Sequence, residues 1–109
     1  AEGDPVVAGK SKEFKYTADW LNFDKSVTGL PGVEVLIRLD EKSYVPIREH
    51  PSYTDMKPMG ADHPICWRRK LGNSRYFFTG LGHDVKSIDT EFGRAHLLAG
   101  IRWTAGKAR

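Results

Sequence analysis

The chain has 109 residues, 39% of them hydrophobic and 11% aromatic, so it can form one domain with a core but not two. Its net charge of +3 comes from 17 basic residues scattered among 14 acidic ones, which disfavours a nucleic-acid partner. No apolar run is long enough to cross a bilayer, so no membrane partner is expected. We expect residues 1–109 to form a single domain or a fragment of one.

The first half of the chain predicts one β-strand. Residues 1–12, rich in Gly and Lys, predict an irregular lead-in, and 14–20 predict a weak strand or a loop with aromatic anchors. A Gly-Pro turn then precedes VEVLIRL at 33–39, whose alternation is typical of a strand. The alternation places Val33, Val35, Ile37 and Leu39 on one face and Leu36 on the other.

Residues 44–61 contain three prolines and have no apolar period. Two interpretations remain open for this segment. It is either a functional or mobile connection, or a surface excursion with a short helical turn after Pro51.

The second half predicts a β-hairpin and a long helix. Strands at 64–69 and 75–81 flank a Gly-Asn tip at 70–74, and the second strand is apolar on both faces. We expect Cys66 to be a buried, inert thiol and the basic cluster 68–70 to be solvated beside the tip.

The C-terminal helix is predicted from its caps. Asp89 and Thr90 are N-cap candidates, and Gly106 is the expected stop after Ala105. Its expected apolar stripe is Phe92, Ala95, Leu98, Ala99, Ile101, Trp103 and Ala105. One helix covers one face of a small sheet, so a partner chain or further sequence is expected on the other.

His83 is the strongest candidate for chemistry. It follows the second hairpin strand through Gly80-Leu81-Gly82, where the backbone can turn sharply beside a site. Asp84 is placed to orient its ring or to help bind a cation. The other interpretation of His83 is a capping or loop residue.

His63 and Asp62 enter the first hairpin strand. In an antiparallel hairpin, His63 and His83 are expected at the same end of the sheet, where they could share a ligand. The other interpretation is a local turn made by Asp62. No HxH or HExxH pattern is present, so no metal or cofactor is predicted.

Further polar residues follow or flank the other strand signals. Asp40 and Glu41 end the 33–39 strand, and DWLNF at 19–23 sets polar groups between aromatic rings. Carboxylates and amides beside aromatic rings are typical of sugar-binding surfaces, whereas the simpler interpretation of Trp20 is a core aromatic. No nucleophile-elbow pattern occurs, which favours acid–base chemistry.

Five stretches resemble the ThuA-like (trehalose utilisation) family, in order and spacing, from about Asp4 to Gly106. They are DWLNF at 19–23, LDEKSY at 39–44, MGADHPICW at 59–67, RYFFTGLGH at 75–83 and LLAGIRW at 97–103. The resemblance covers the C-terminal half of the family domain. It implies a partial flavodoxin-like α/β fold, similar to class I glutamine amidotransferases, and a link to sugar metabolism.

The resemblance also implies a common site for seven residues: Asp19, Asn22, Asp40, Glu41, Asp62, His63 and His83. The expected function is binding or transforming a sugar derivative in a pocket lined by His, Asp and Glu. His83 would be the general acid or base, with His63 and Asp62 positioning the substrate. The expected binding residues are Asp19, Trp20, Asn22, Asp40, Glu41, Tyr44 and Asp84.

The alternative is a non-catalytic module that binds a carbohydrate or a partner subunit at the same polar edge. Such a module could complete its sheet by pairing with itself or with a missing N-terminal half.

Overall fold

The computed structural model describes residues 3–47 and 57–107. A three-stranded antiparallel sheet in the order β1-β2-β3 is accompanied by two helices and two 3₁₀ turns. The strands are β1 (Val33–Arg38), β2 (Pro64–Leu71) and β3 (Ser74–Thr79); the helices are α1 (Val85–Ile88) and α2 (Glu91–Thr104); the 3₁₀ turns are Pro5–Val7 and Glu41–Ser43. The predicted α/β class and the hairpin are confirmed. The helical turn expected after Pro51 lies outside the described residues.

No helix within the described ranges is long and apolar enough to span a membrane.

The predicted strand is confirmed as β1, and its most buried residue is Leu36, on the face opposite Val33 and Val35. Leu36 is 5% exposed and belongs to the core, whereas Val33 and Val35 are half-buried. The register with β2 shifts between Val35 and Ile37, so Ile37 also packs against the core. Such an irregularity bends the strand locally, so residues from both faces of β1 contribute to packing.

The N-terminal segment is more ordered than the irregular lead-in expected for residues 1–12. Asp4 accepts a hydrogen bond from the Val6 amide at 3.0 Å and caps the turn Pro5–Val7. Val6 and Val7 are buried, and Val6 joins Leu36 and Cys66 in the core. The cap makes this short turn stable enough to bring its apolar residues onto the sheet.

Arg68 is not solvated as predicted for the hairpin tip. It is 7% exposed and forms ion pairs with Asp4 (3.0 Å) and Glu34 (2.8 Å). Its guanidinium carbon also lies 5.3 Å from the centroid of the Trp103 ring. Paired charges and an aromatic face compensate the desolvation of the guanidinium, so the arginine can be buried.

The predicted ends of α2 are confirmed. Thr90 accepts from the Gly93 amide at 2.9 Å. At the other end, Gly106 has φ 74°, and two backbone bonds close a Schellman motif: Gly106 N to Trp103 O (3.0 Å) and Lys107 N to Arg102 O (2.8 Å).

The predicted apolar stripe of α2 is wrong in part. The buried residues are Gly93, His96, Ala99, Gly100 and Trp103, while Ala95, Leu98 and Ile101 are exposed. A Cβ at Gly100 would overlap the Phe77 ring. Small residues of the helix, with His96 and Trp103, therefore face the core close to β3, whereas Leu98 and Ile101 do not.

The opposite face of the sheet carries an aromatic cluster. Trp67 and Phe78 stack with ring centroids 4.1 Å apart, and Phe23 meets both rings edge-on at 5.6 and 5.8 Å. β3 is thus packed on both faces, by α2 on one and by Phe23 on the other. Tyr76 of β3 remains 56% exposed.

Candidate functional site

The predicted polar segments meet at one end of the sheet. The Leu39 amide after β1 donates to the His63 carbonyl before β2 at 2.8 Å. The Gly80 amide after β3 donates to the Ile65 carbonyl at 2.7 Å. The antiparallel hairpin therefore places the segments of His63 and His83 at the same end of the sheet, as the sequence predicts.

His63 lies at the centre of this end and is fully buried. Its Nδ1 is 2.9 Å from Glu41 Oε1, and its Nε2 is 2.8 Å from the Leu21 carbonyl oxygen. Both ring nitrogens are therefore engaged by protein groups. The imidazole connects the 3₁₀ turn Glu41–Ser43 to the segment that contains Leu21.

Glu41 receives three hydrogen bonds. Oε1 accepts from the Met59 amide at 2.6 Å as well as from His63, and Oε2 accepts from the Gly60 amide at 2.7 Å. Burial works to raise the pKa of this carboxyl, but the bonds from Met59, Gly60 and His63 outweigh it and lower the pKa. Glu41 is therefore an ionised carboxylate at neutral pH.

An extended segment, residues 19–23, crosses the sheet end and contacts both histidines. Asp19 Oδ2 lies 3.8 Å from His83 Nε2, and both side chains are exposed (73% and 67%). Two residues later, the Leu21 carbonyl faces His63. The Phe23 ring then anchors the segment on the aromatic cluster of the sheet.

Two polar atoms next to this arrangement are buried without a hydrogen-bond partner among the described residues: Asn22 Oδ1 and the Tyr44 hydroxyl. The Asn22 amide group donates to the Pro46 carbonyl at 3.0 Å, which fixes the direction of the side chain. Burial, and secondarily the charge of Glu41, raises the pKa of Tyr44, so its hydroxyl stays protonated. One acceptor, next to Leu21 in sequence, and one donor, close enough to Glu41 to feel its charge, are therefore without a partner among the described residues.

We call the group Asp19, Asn22, Glu41, Tyr44, His63 and His83 the sheet-end site.

The other predicted carboxylates serve local structure. Asp40 accepts from the Lys42 amide at 3.0 Å and caps a 3₁₀ turn. Asp84 accepts from the Ser87 amide at 2.9 Å and caps α1, and this bond lowers the pKa of its carboxyl.

Asp62 and Trp20 contact residues that lie outside the sheet-end site. Asp62 accepts from the Thr28 hydroxyl at 2.7 Å, which lowers its pKa, and lies 3.6 Å from Arg38 Nε. Trp20 is half-buried, with its ring 6.2 Å from that of Tyr16. Within residues 3–47 and 57–107, no group of three His, Cys, Asp or Glu side chains is arranged to hold a metal ion.

Sequence reasoning missed a second buried histidine, His96. It is fully buried on α2, with Nδ1 2.7 Å from the Val6 carbonyl and Nε2 2.7 Å from the Thr79 hydroxyl. Its position three residues before Ala99 on the buried face was the available signal. Its partners are 90 and 17 residues away along the chain, so no local pattern indicates them.

Comparison with known protein families identifies a relationship. The family model described as trehalose utilisation (ThuA) matches residues 1–104. The chain belongs to the ThuA family. The resemblance seen in the sequence is thereby confirmed, and it spans both the sheet-end site and α2 of this ThuA chain. No curated protein and no solved structure gives a significant match.

Proposed function

We propose that this ThuA chain binds a sugar or sugar derivative at the sheet-end site. One observation carries the proposal. The segment 19–23 brings Asp19 to His83, and it brings the Leu21 carbonyl, next to Asn22 in sequence, to the His63 ring. Membership of a trehalose utilisation family makes a sugar the natural class of ligand.

Asn22 and Tyr44 are assigned to recognise the hydroxyl groups of the sugar. A sugar hydroxyl both donates and accepts hydrogen bonds, and Asn22 Oδ1 and the Tyr44 hydroxyl offer one acceptor and one donor without partners in the described structure. Unpaired buried polar groups are costly, so a ligand that satisfies both gains affinity over one that cannot. The indole of Trp20 supplies an apolar surface for the carbon face of the ring.

Acid–base chemistry is assigned to His83. Its imidazole is accessible, and Asp19 is close enough to orient it once a ligand draws the pair together. Asp62 helps to position the substrate from its place beside His63. Asp40 and Asp84 shape the two sides of the site from their capping positions.

The charge of the site favours a neutral sugar over a phosphorylated one. Glu41 is paired with His63, and Asp62 with Arg38. Asp19 and Asp84 lie close to the exposed imidazole of His83, so the residues assigned to the site carry a net negative charge. A phosphate group would be repelled by it.

Isothermal titration calorimetry with trehalose, its keto derivatives and a phosphorylated disaccharide tests this proposal. We expect binding of a neutral sugar and at least tenfold weaker binding in Asn22→Ala, since a buried hydrogen bond is lost. Asn73→Ala, at the exposed hairpin tip, is the matched control and should bind like the wild type. Absence of binding by every sugar, or equal binding by both variants, would refute the site.

A non-catalytic binding module is the second candidate, because the His83–Asp19 pair is open to solvent and 3.8 Å apart. The two candidates differ in their response to His83→Ala. In an enzyme this change abolishes turnover and leaves sugar affinity intact. In a module there is no turnover, and Trp20→Ala is the change that weakens binding.

We also propose that the sheet is part of a larger, flavodoxin-like sheet related to class I glutamine amidotransferases. Among the described residues no strand pairs with the outer edge of β3, which supports this. An apolar groove of about 400 Å³, between Phe77 and the C-terminal end of α2, supports it as well. A missing N-terminal half or a second copy of the chain would add the next strand. Light scattering separates them: a monomer argues against self-pairing.

A further inference from the structure

The hydrogen bonds of His63 require a particular protonation state. A neutral imidazole has one N–H donor and one acceptor nitrogen. Both partners of His63 are acceptors, since one is the Glu41 carboxylate and the other is the Leu21 carbonyl. Both bonds form together only when the ring carries two protons and is therefore an imidazolium.

We infer that His63 is a protonation-dependent clasp that positions the segment 19–23 for ligand binding at the sheet-end site. In its charged form the ring donates to both Glu41 and Leu21. A neutral ring carries a proton on only one nitrogen and keeps one of the two bonds. If Nε2 loses its proton, the bond to the Leu21 oxygen is lost; if Nδ1 loses its proton, the bond to Glu41 is lost. Losing one proton therefore breaks the connection that His63 makes between Leu21 and the 3₁₀ turn.

The groups that surround the His63 ring are compatible with a doubly protonated, positively charged imidazole. From the 3₁₀ turn, Glu41 faces Nδ1, and Tyr44 lies near the same carboxylate. Asp62 precedes His63 but is engaged by Thr28 and Arg38. From the crossing segment, the Leu21 carbonyl faces Nε2.

Glu41 is the one carboxylate bonded to this ring. Its bonds from the Met59 and Gly60 amides hold it in place and ionised. A buried imidazolium requires such a partner, because an unpaired buried charge is strongly disfavoured.

His63 is thus a positioning residue. It is fully buried and acts on the ligand through Leu21, which lies between Asp19 and Asn22 in sequence. The inference rests on the proposed function for the ligand, but the clasp itself is independent of any ligand. The protonation of His63 and its effect on sugar affinity can therefore be measured separately.

Nitrogen-15 NMR of the histidine rings in the full chain, recorded from pH 5 to 9, tests the clasp. We expect both His63 nitrogens to be protonated at pH 5. The Asn22 amide, in the same peptide group as the Leu21 carbonyl, should shift with the midpoint at which the His63 ring loses one proton. His96 is the internal control, because its partners suit a neutral ring, and the Val7 amide next to its carbonyl partner should not follow the His63 midpoint.

The outcomes are distinct. A singly protonated His63 ring at pH 5, or an Asn22 amide that ignores the His63 titration, overturns the clasp. With the clasp intact, sugar affinity should fall about tenfold as the ring is neutralised, since a hydrogen bond from a charged donor is lost. An NMR result as expected, combined with no sugar binding at any pH, removes the proposed function and leaves the clasp.

His63→Gln provides a check that does not depend on titration. Its side-chain amide can donate to the Leu21 carbonyl or to Glu41 but carries no proton to lose in this range. In this variant the Asn22 amide should be insensitive to pH between 5 and 9. A pH-dependent Asn22 shift that survives the substitution would assign the effect to another group and overturn the inference.

Discussion

Two histidines of this chain are equally buried yet suit opposite charge states. His63 faces two acceptors, Glu41 and the Leu21 carbonyl, and makes both bonds as an imidazolium. His96 faces the Val6 carbonyl, which accepts, and the Thr79 hydroxyl, which can donate, and makes both bonds as a neutral ring. Burial alone therefore does not fix the charge of a histidine; the hydrogen-bonding capacity of its partners also matters.

The two regions respond to pH in opposite directions. Burial lowers the pKa of His96, against a smaller opposing effect of its bond to Val6. A depressed pKa in the folded state means that the stabilisation is present above the ordinary value of 6.5 and is lost as pH falls below it. The inferred response of His63 has the opposite sense, because both of its hydrogen bonds form together only when the ring carries two protons.

His96→Ala gives the largest expected effect and tests the helix side of the comparison. It leaves a cavity and an unpaired Val6 carbonyl, which should lower the free energy of unfolding by about 3 kcal/mol. Urea denaturation at pH 7.5 measures this. The exposed control His83→Ala should stay within about 0.5 kcal/mol of the wild type. A loss in His96→Ala as small as that of the control would show that His96 has no structural role.

Glu41→Gln tests the sheet end. The uncharged amide no longer pairs with the His63 imidazolium, and its NH₂ group cannot accept from an amide such as that of Gly60. We expect a loss of about 2 kcal/mol at pH 5.5, measured by urea denaturation. Asp19→Asn removes an exposed carboxylate of the same site and should change stability by less than about 0.5 kcal/mol. Equal effects would mean that Glu41 is no more than a surface charge.

The loss of stability in acid that we assign to His96 should disappear when this residue is replaced by one that does not titrate. The wild type should lose stability between pH 7.5 and 5, by about 1.4 kcal/mol for each unit of pKa difference between folded and unfolded states. His96→Gln keeps a donor and an acceptor but does not titrate, so its pH slope should be flatter. His83→Gln should retain the wild-type slope; a flattened slope there would place the acid sensitivity at the exposed ring.

Tyr44→Phe has the smallest expected effect on stability and the clearest effect on ligand. Removing a buried hydroxyl without a described partner should be neutral or stabilise the fold by up to about 1 kcal/mol. Sugar affinity should nevertheless fall, since one donor to the ligand is lost. Thermal unfolding and calorimetry on the same preparation measure both. A clear loss of stability would instead indicate that the hydroxyl has a structural partner.

Local signals predicted the secondary structure well. The Thr90 cap and the Gly106 stop bound α2, and the Gly-Asn tip joins β2 to β3. These features depend on residues close in sequence. The meeting of His63 and His83 segments at one sheet end also follows from hairpin geometry alone.

Features that depend on distant residues could not be predicted. The buried face of α2 contains Gly93, His96 and Gly100, which a hydrophobicity pattern scores as polar or neutral. Gly93 is buried against the Ile88 backbone, whereas His96 and Gly100 approach the Phe77 ring. The burial of Arg68 depends on Asp4, 64 positions earlier. In the sheet-end site, sequence indicated the participants, but not that the ring of His63 would be enclosed between Glu41 and Leu21.

The core position of Cys66 has a practical consequence. It is the one cysteine of the chain, it is fully enclosed, and burial raises the pKa of its thiol to about 12. Since the thiolate is the reactive form, alkylating reagents should modify it only when the molecule opens. The labelling rate of Cys66 therefore measures how often the sheet opens, and no engineered probe is required.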